Sequence, residues 1–593
     1  MVEGTRGWWS AQCAAAAGDR YGYALDGGPV RPDPAARRLP GGVHDRAALV
    51  DPRQFRWSPQ ESGWRGAPLA GSVIYELHIG AFTEQGTLAA AAEHLQGLND
   101  LGITHVELMP VNGFSGTRGW GYDGVAWYAV HEPYGGPEGL VAFVDAAHRA
   151  GLSVILDVVY NHLGPSGNYL PDFGPYLTDR YRTPWGDCLN LDGPGSDDVR
   201  SFVTGSALAW LRDYHLDGLR LDAVHGLIDT SPVHLLVELS AAVERLAAHQ
   251  RRPLVLIAES DRADPRTTAP RALGGEGMDG QWADDLHHVI HTALTGEQDG
   301  YYVDYRGLVD LPATYRRGFL YDGRWSRFRG RTVGAPLSDD LPGWALVGCV
   351  QNHDQVGNRA AGDRLTTLVD PALAKVAVLL LCAAPHTPML FMGEEYGETN
   401  PFLFFTSHPD PDLAEAVRTG RRAEFADFEA FAGVAGAQVP DPQEEQTFRR
   451  SVLDRSRAAT VDGAAWRALW TDLLALRRDV PALGNGRRDL VSGAGEGLRP
   501  EQTAVVRRDP DGAAVLVVAN LLAQPARCRV RVHPAETAWR PVLATTDARY
   551  CGVAGGGGGG GDPMMIRVAG EGLLEVSLPP RSGAIFTCAA DSR

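Results

Sequence analysis

Lysine is almost missing from this chain of 593 residues: the 55 basic residues include one lysine, Lys375, and the rest are arginines. Schiff-base chemistry or a phosphate-cradling lysine would therefore have to rest on that single residue, which argues against both. Long apolar runs are also lacking. The longest, Val376 to Ala384, is half a bilayer span and stops at Pro385. No cationic start followed by an apolar stretch marks a leader at the N-terminus. The seven cysteines (Cys13, Cys188, Cys349, Cys382, Cys528, Cys551, Cys588) are odd in number and show no CxxC spacing. That pattern predicts reduced thiols rather than a disulfide framework or a zinc site. Excess positive charge is absent too, since the formal net charge is -18. A polyanionic partner needs clustered cations, so nucleic acid is excluded and a neutral polymer such as glucan is compatible. The expectation is a cytoplasmic protein with no membrane partner, a monomer or a homodimer.

What is present is a regular alternation of short apolar segments and amphipathic helices. Strands are predicted at 73–79, 104–109, 153–159, 217–222, 254–259, 279–284, 345–351 and 388–392. Helical periodicity covers Leu88 to Leu101, Pro137 to Ala150, Asp197 to Tyr214, Val233 to His249, Pro371 to Ala384 and Ala464 to Arg478. Eight such strands predict an α/β fold, a (β/α)8 TIM barrel over residues 66–490 with loop insertions, one after strand three at 161–196 and a second at about 398–462. Residues 1–65, rich in Gly, Pro and Trp, predict part of a small β-domain. Residues 491–593 return to short β runs and predict a C-terminal β-sandwich. Seven consecutive glycines, Gly555 to Gly561, predict a disordered loop within it.

Acidic residues stand at the ends of three predicted strands: Asp222 in DGLRLDAVH, Glu259 in PLVLIAES and Asp354 in VQNHDQVGN. Barrel chemistry sits at those ends. Together with DVVYNH (157–162), these motifs occur in the order and context of the four signature regions of the α-amylase superfamily of glycoside hydrolases, which the chain resembles. Within that superfamily VIYELHIGAFT, LNLDGPGSDDVR, QNHDQVGNR and FMGEEYGETNPFLFFTSH are most similar to the trehalose-releasing hydrolases. The resemblance implies that the small β-domain of residues 1–65 is an N-terminal β-sandwich carried in part.

The resemblance implies that Asp222 is the nucleophile, Glu259 the general acid and base, and Asp354 the carboxylate that fixes the sugar. It also implies that His162 and His353 bind sugar hydroxyls, that Asp157 orients Arg220, that His225 borders the leaving group, and that Tyr122 stacks on the sugar. Trp120, Trp282, Phe404 and Phe405 are further candidate apolar platforms. Arg220 lies two residues before Asp222, so the strand period places both on one face, where the cation would keep Asp222 ionised. The apolar run before Glu259 would favour its protonated form. The implied substrate is malto-oligosyltrehalose or a related α-glucan, cut at the α-1,4 bond beside the terminal trehalose. Alternatives are a 1,4-α-glucan branching enzyme and a glucan-binding scaffold without activity, though a scaffold would normally have lost one of the three carboxylates. Gly119, Gly121 and Gly124 spell GxGxxG, but no helix opens after them, which argues against nucleotide binding. Asn161 has a calcium-holding counterpart in some amylases, yet no remaining ligand set is recognisable. No metal and no cofactor are therefore expected.

Overall fold

Eight short segments pair in parallel and close on themselves in the computed structural model, which describes residues 1–426, 439–536, 538–552 and 564–589. In chain order they are β1 (Ile74–Leu77), β2 (His105–Leu108), β3 (Ser153–Val158), β4 (Gly218–Leu221), β5 (Val255–Ala258), β6 (Gly280–Trp282), β7 (Leu346–Cys349) and β8 (Thr387–Phe391). β8 pairs back onto β1 through Met389 and Ile74, completing the predicted barrel. The predicted Leu88 to Leu101 helix is two helices, Leu88–Ala92 and Leu95–Leu101.

The strand period explains how the barrel carries both a core and a site. Inward positions low in the barrel are apolar: Ile74, Ile155, Val255, Ile257, Trp282, Val347 and Met389 form one buried cluster. Two residues on, the inward positions of β1, β3 and β4 become charged, as Glu76, Asp157 and Arg220. Gly218 is required at the crowded centre. A Cβ there would lie 2.7 Å from the Val255 carbonyl oxygen and 3.3 Å from Ile155. Asp217, at the opposite end of β4, closes the bottom. Its buried carboxylate accepts from Trp64 Nε1 (2.7 Å), the Val154 amide (2.8 Å) and Arg252, and pairs with His148.

Two long helices escaped the sequence reading, Asp284–Thr295 and Pro411–Ala426. Asp284–Thr295 follows β6 and buries His287, His288 and His291 among Tyr301, Tyr302 and Tyr305. Burial pulls all three imidazoles below their usual range, His288 to about 3, so they pack as neutral rings. Three histidines reading as polar hide the apolar face of DDLHHVIHTALT.

The long loop after β3 contains a hairpin, Leu177–Thr183 with Gly186–Leu189. A second hairpin, Asp322–Ser326 with Arg331–Gly334, follows β6 and its helix. N-terminal β-structure is limited to two-residue pairings such as Arg20–Tyr21 with Ala47–Ala48, and Ala36, Leu39 and Val43 pack against Val125 and Ala129 of the barrel. Residues 491–588 build a five-stranded and a four-stranded antiparallel sheet. Strand Ala514–Asn520 is buried on both faces, with Leu516 and Val518 facing the second sheet and Val515 and Val517 facing the barrel. That double burial accounts for its uninterrupted apolar sequence. The run Gly555 to Gly561 lies outside the described residues.

Arginines join this domain to the barrel. The Pro371–Ala383 helix ends buried, and its terminal carbonyls accept from Arg477 (Cys382 at 3.1 Å, Ala384 at 2.5 Å, and His386 just beyond) and from Arg507 (Ala383 at 2.8 Å). A cation at a helix C-terminus is favoured by the helix dipole. The lone lysine works at the same junction, where Lys375 donates to the Tyr550 carbonyl and lies over Trp466. Arg477→Ala removes the guanidinium from the Cys382 and His386 carbonyls, while Ala384 keeps Arg507 at 3.1 Å, and is expected to cost about 3 kcal/mol. The urea midpoint should fall while activity at 25 °C persists; an unchanged midpoint would contradict this account.

Candidate active site

Arg220 is fully buried at the C-terminal end of β4 and holds three carboxylates. Its Nη1 donates to Asp157 (2.7 and 2.8 Å) and to Asp222 Oδ1 (2.9 Å), and its Nη2 donates to Glu259 Oε2 at 2.7 Å. β3 sets Asp157 directly opposite Arg220 in the sheet register, and the same strand period carries Asp222 to the rim. Ala223 then turns in the left-handed region (φ 38°), which aims its amide at Glu259 Oε2, 2.9 Å away. Sharing one guanidinium holds Asp222 and Glu259 side by side in one cluster.

Electrostatics reverse two expectations, an Asp222 kept ionised by Arg220 and a Glu259 kept protonated by its apolar neighbours. Burial raises Glu259, but the Arg220 guanidinium and the Ala223 amide outweigh it, and the net direction is down. Asp222 moves well up, first through burial and then through the charge on Glu259, with Arg220 compensating only in part. The apolar residues preceding Glu259 in sequence therefore do not set its ionisation. The Arg220 charge thus favours the ionised form of Glu259, while burial favours the neutral form of Asp222.

His353 is held by the buried Glu76 of β1, which accepts from the His353 amide at 2.9 Å and pairs with Nδ1 at 2.5 Å. Burial lowers this imidazole, but Asp354 and Glu76 raise it to about 10, so it is an imidazolium at neutral pH. Its Nε2 lies 3.5 Å from Asp354 Oδ1. Tyr122 stacks on His353 at 5.1 Å and donates to Asp157. His162 Nε2 meets the Tyr122 carbonyl at 3.0 Å, and Trp185 stacks on the His162 ring. His225 is half-buried near Trp185, with Nδ1 3.8 Å from Asp261. The structure thus brings Tyr122, Asp157, His162, Arg220, Asp222, His225, Glu259, His353 and Asp354 to one mouth.

The remaining aromatic candidates fare differently. Phe405 is 0% exposed and packs against His78, Phe402 and Phe448, so it offers no face to a sugar. Trp282 fills the barrel interior with Arg220 stacked on it at 4.0 Å, and supports the guanidinium from below. Trp120 is buried with Nε1 on the Leu403 carbonyl, and Phe404 is covered on one face by Arg421. Trp185, by contrast, is 42% exposed beside two site histidines and was not anticipated. Glu76 and Asp284 were missed as well. An acidic residue at an inward strand position was the available signal for Glu76. Among the described residues no group of three or more His, Cys, Asp or Glu side chains is arranged to hold a metal ion.

Residues 50–182 match the alpha-amylase catalytic domain family. A malto-oligosyltrehalose trehalohydrolase from Arthrobacter ramosus is 53% identical over 484 residues, covering 81% of this chain and 83% of its own. The chain belongs to the malto-oligosyltrehalose trehalohydrolase family. A solved structure from Salmonella typhimurium, assigned there only provisionally as an alpha amylase, is 38% identical with a TM-score of 0.83, covering 97% of this chain and 91% of that one. A 1,4-alpha-glucan branching enzyme from Xanthomonas campestris is 28% identical, covering 90% of this chain and 69% of its own. The match at residues 50–182 spans β1 to β3, and so includes Asp157 of the Arg220 cluster.

The His353 pair predicts a pH effect. A histidine raised above its unfolded value near 6.5 contributes stability that is full below that value and is lost as pH rises through about 10. Glu76→Gln removes one of the two anions that hold the proton. The alkaline limb of kcat/KM should then move to lower pH by about one unit; an unmoved limb would exclude His353 as the group that sets it.

Proposed function

We propose that this chain hydrolyses malto-oligosyltrehalose at the α-1,4 bond next to the terminal trehalose, with retention, releasing trehalose. The observation that supports it best is the shared guanidinium: Asp222 and Glu259 both hydrogen-bond Arg220, a geometry suited to a nucleophile and an acid on either side of one scissile bond. Family membership supplies the substrate class, and the distant similarity to a branching enzyme weighs against that alternative.

In this reading the glucose to be cleaved sits over Tyr122, with its hydroxyls on His162, His353 and Asp354. Asp222 attacks the anomeric carbon, and Glu259 protonates the departing oxygen. Because the Arg220 charge favours an ionised Glu259 before substrate arrives, binding has to bring a proton to Glu259. Displacing water from the site and placing the glycosidic oxygen beside Glu259 both favour its neutral form. Asp222 has to be ionised to attack. Water then hydrolyses the glycosyl-enzyme with Glu259 as base. A cytoplasmic location belongs to this reading and is supported by the odd, scattered set of seven cysteines. No helix among the described residues is long and apolar enough to cross a membrane.

Asp222→Asn should lower kcat at least about 10³-fold, roughly 4 kcal/mol of transition-state stabilisation, with the melting temperature kept. More than a tenth of wild-type turnover would remove Asp222 as the nucleophile. Specificity is decided by products. Maltotriosyltrehalose should give free trehalose at a kcat/KM at least about tenfold above that for a linear maltodextrin of equal length. New α-1,6 branches without trehalose would identify a branching enzyme, and binding without any product a scaffold.

A further inference from the structure

The segment that carries Asp354 is gripped on both sides of that carboxylate by the buried histidine helix and the residues just past its end. Asp354 is the second residue of a short helix, His353–Gly357, which β7 enters through Val350, Gln351 and Asn352. Before Asp354, the Val350 carbonyl pairs with His287 Nδ1 at 2.9 Å, and Tyr302 Oη lies 3.3 Å from Nε2 of the same ring. A carbonyl only accepts, so His287 carries its proton on Nδ1 and takes the tyrosine hydroxyl on Nε2. After Asp354, the Arg359 guanidinium meets Glu297 as a fork, Nη1 to Oε2 at 3.0 Å and Nη2 to Oε1 at 2.9 Å. Glu297 Oε2 also accepts from His291 Nε2 at 2.9 Å. His287 and His291 share one helix face, stacked at 5.2 Å, and Tyr302 stacks on His291 at 4.7 Å. Both grips therefore start from one packed surface.

The second grip bears on the direction of Asp354. The Arg359 amide donates to the Val356 carbonyl at 3.2 Å, so holding the guanidinium holds the end of the short helix. Asn358, its chain neighbour, donates from Nδ2 to Asp354 Oδ1 at 3.3 Å, and its amide donates to the Asp354 carbonyl at 3.0 Å. The other end is fixed separately, where Glu76 holds the His353 amide and ring. A helix this short has too few internal hydrogen bonds to keep its own orientation, and one anchored end would let it pivot. Glu297 supplies the second anchor. Burial raises its carboxyl, but His291 and Arg359 bring it down to about 2, so the fork stays charge-assisted at neutral pH. The two side chains are 28% and 12% exposed, so solvent screens the pair less than it would an open surface pair. A bidentate fork fixes angle as well as distance.

We propose that Glu297 is a positioning residue for Asp354: by gripping Arg359 it fixes the far end of the His353–Gly357 helix, and with it the direction in which Asp354 meets the sugar. This rests on the reading above, in which Asp354 holds the sugar, and a double-mutant cycle separates the two. Glu297→Ala and Asp354→Asn are made singly and together, and kcat/KM on maltotriosyltrehalose is measured for each. Alone, Glu297→Ala should lower kcat/KM about 10-fold or more with the melting temperature kept, because a small misplacement of a site group is costly. With Asp354 already replaced by Asn, the same change should cost less than about twofold, since residues that act through one another are not additive. Equal losses in the two backgrounds, as a merely structural role would give, or no loss in either, would overturn the proposal. If the alanine variant is unstable, Glu297→Gln decides, because it keeps the volume and one acceptor oxygen. Its expected loss is about threefold or more in the wild-type background alone, and equal losses in both backgrounds or none would overturn the proposal. An Asp354→Asn variant with wild-type kcat/KM would instead remove the role given to Asp354, and the proposal with it. Should wild type cleave a linear maltodextrin but release no trehalose, the substrate reading fails, and the cycle is run on that maltodextrin with the same outcomes.

Discussion

A fully buried guanidinium is the constraint around which this site is organised. Arg220 sits where water cannot solvate it, so its charge has to be met by Asp157, Asp222 and Glu259. Each comes from a different strand end, so the barrel has to close in register for the three to converge. The dependence runs both ways: without Arg220, three carboxylates would crowd one low-dielectric pocket and all but one would have to take up protons. Catalysis adds a further condition, because Arg220 favours an ionised Glu259 whereas the proposed reaction needs it protonated. Substrate binding supplies the difference, as expected where binding energy is directed to the reacting centre.

Most of the barrel was legible in sequence, because strand-length apolar runs alternating with amphipathic helices have few other solutions. Asp222, Glu259 and Arg220 could be found for the same reason: residues at strand ends, two apart, share a face. The state of Glu259 was not legible. Its sequence neighbours are apolar, but its nearest charge is 39 residues away on another strand, and only closure of the barrel brings the two together. Phe405 failed in the opposite sense, since an aromatic in a loop motif carries no sign of which way it points. The helix Asp284–Thr295 was hidden by chemistry, because histidines that pack as neutral rings read as polar until their burial is known.

The near-absence of lysine has a structural counterpart. Buried arginines act repeatedly as multivalent donors to carbonyls: Arg477 and Arg507 at one helix terminus, Arg488 to Ser338, Leu341 and Arg317, and Arg364 to Met392 and Asn400. A planar fork with five donors can satisfy several orphan carbonyls from one side chain, which an ammonium on a flexible stem does less well. The joint between barrel and C-terminal sheets relies on this. It also places the one lysine far from any chemistry, in a junction where its role is to meet a carbonyl and cover a tryptophan.

Specificity has to come from the half of the mouth that the general catalytic apparatus does not occupy. In the proposed reading Tyr122, Asp157, His162 and His353 surround the sugar being cleaved and would serve any α-glucan. The rest of the mouth is built from less regular pieces: the hairpin that presents Trp185, the Asp261–Arg329 ion pair that pins the second hairpin to the loop after β5, and Tyr301 packed on His288. Several of these rest on the buried histidine helix, whose neutral rings fix Tyr301 and Tyr302 without introducing charge beside Glu259. A wall that discriminates by shape and by a few hydrogen bonds needs such rigidity, because a displaced acceptor costs as much as a missing one. The barrel's retained geometry and the irregular elements after β3, β5 and β6 are therefore separate solutions to separate problems, bond cleavage on one side and recognition of the departing sugar on the other.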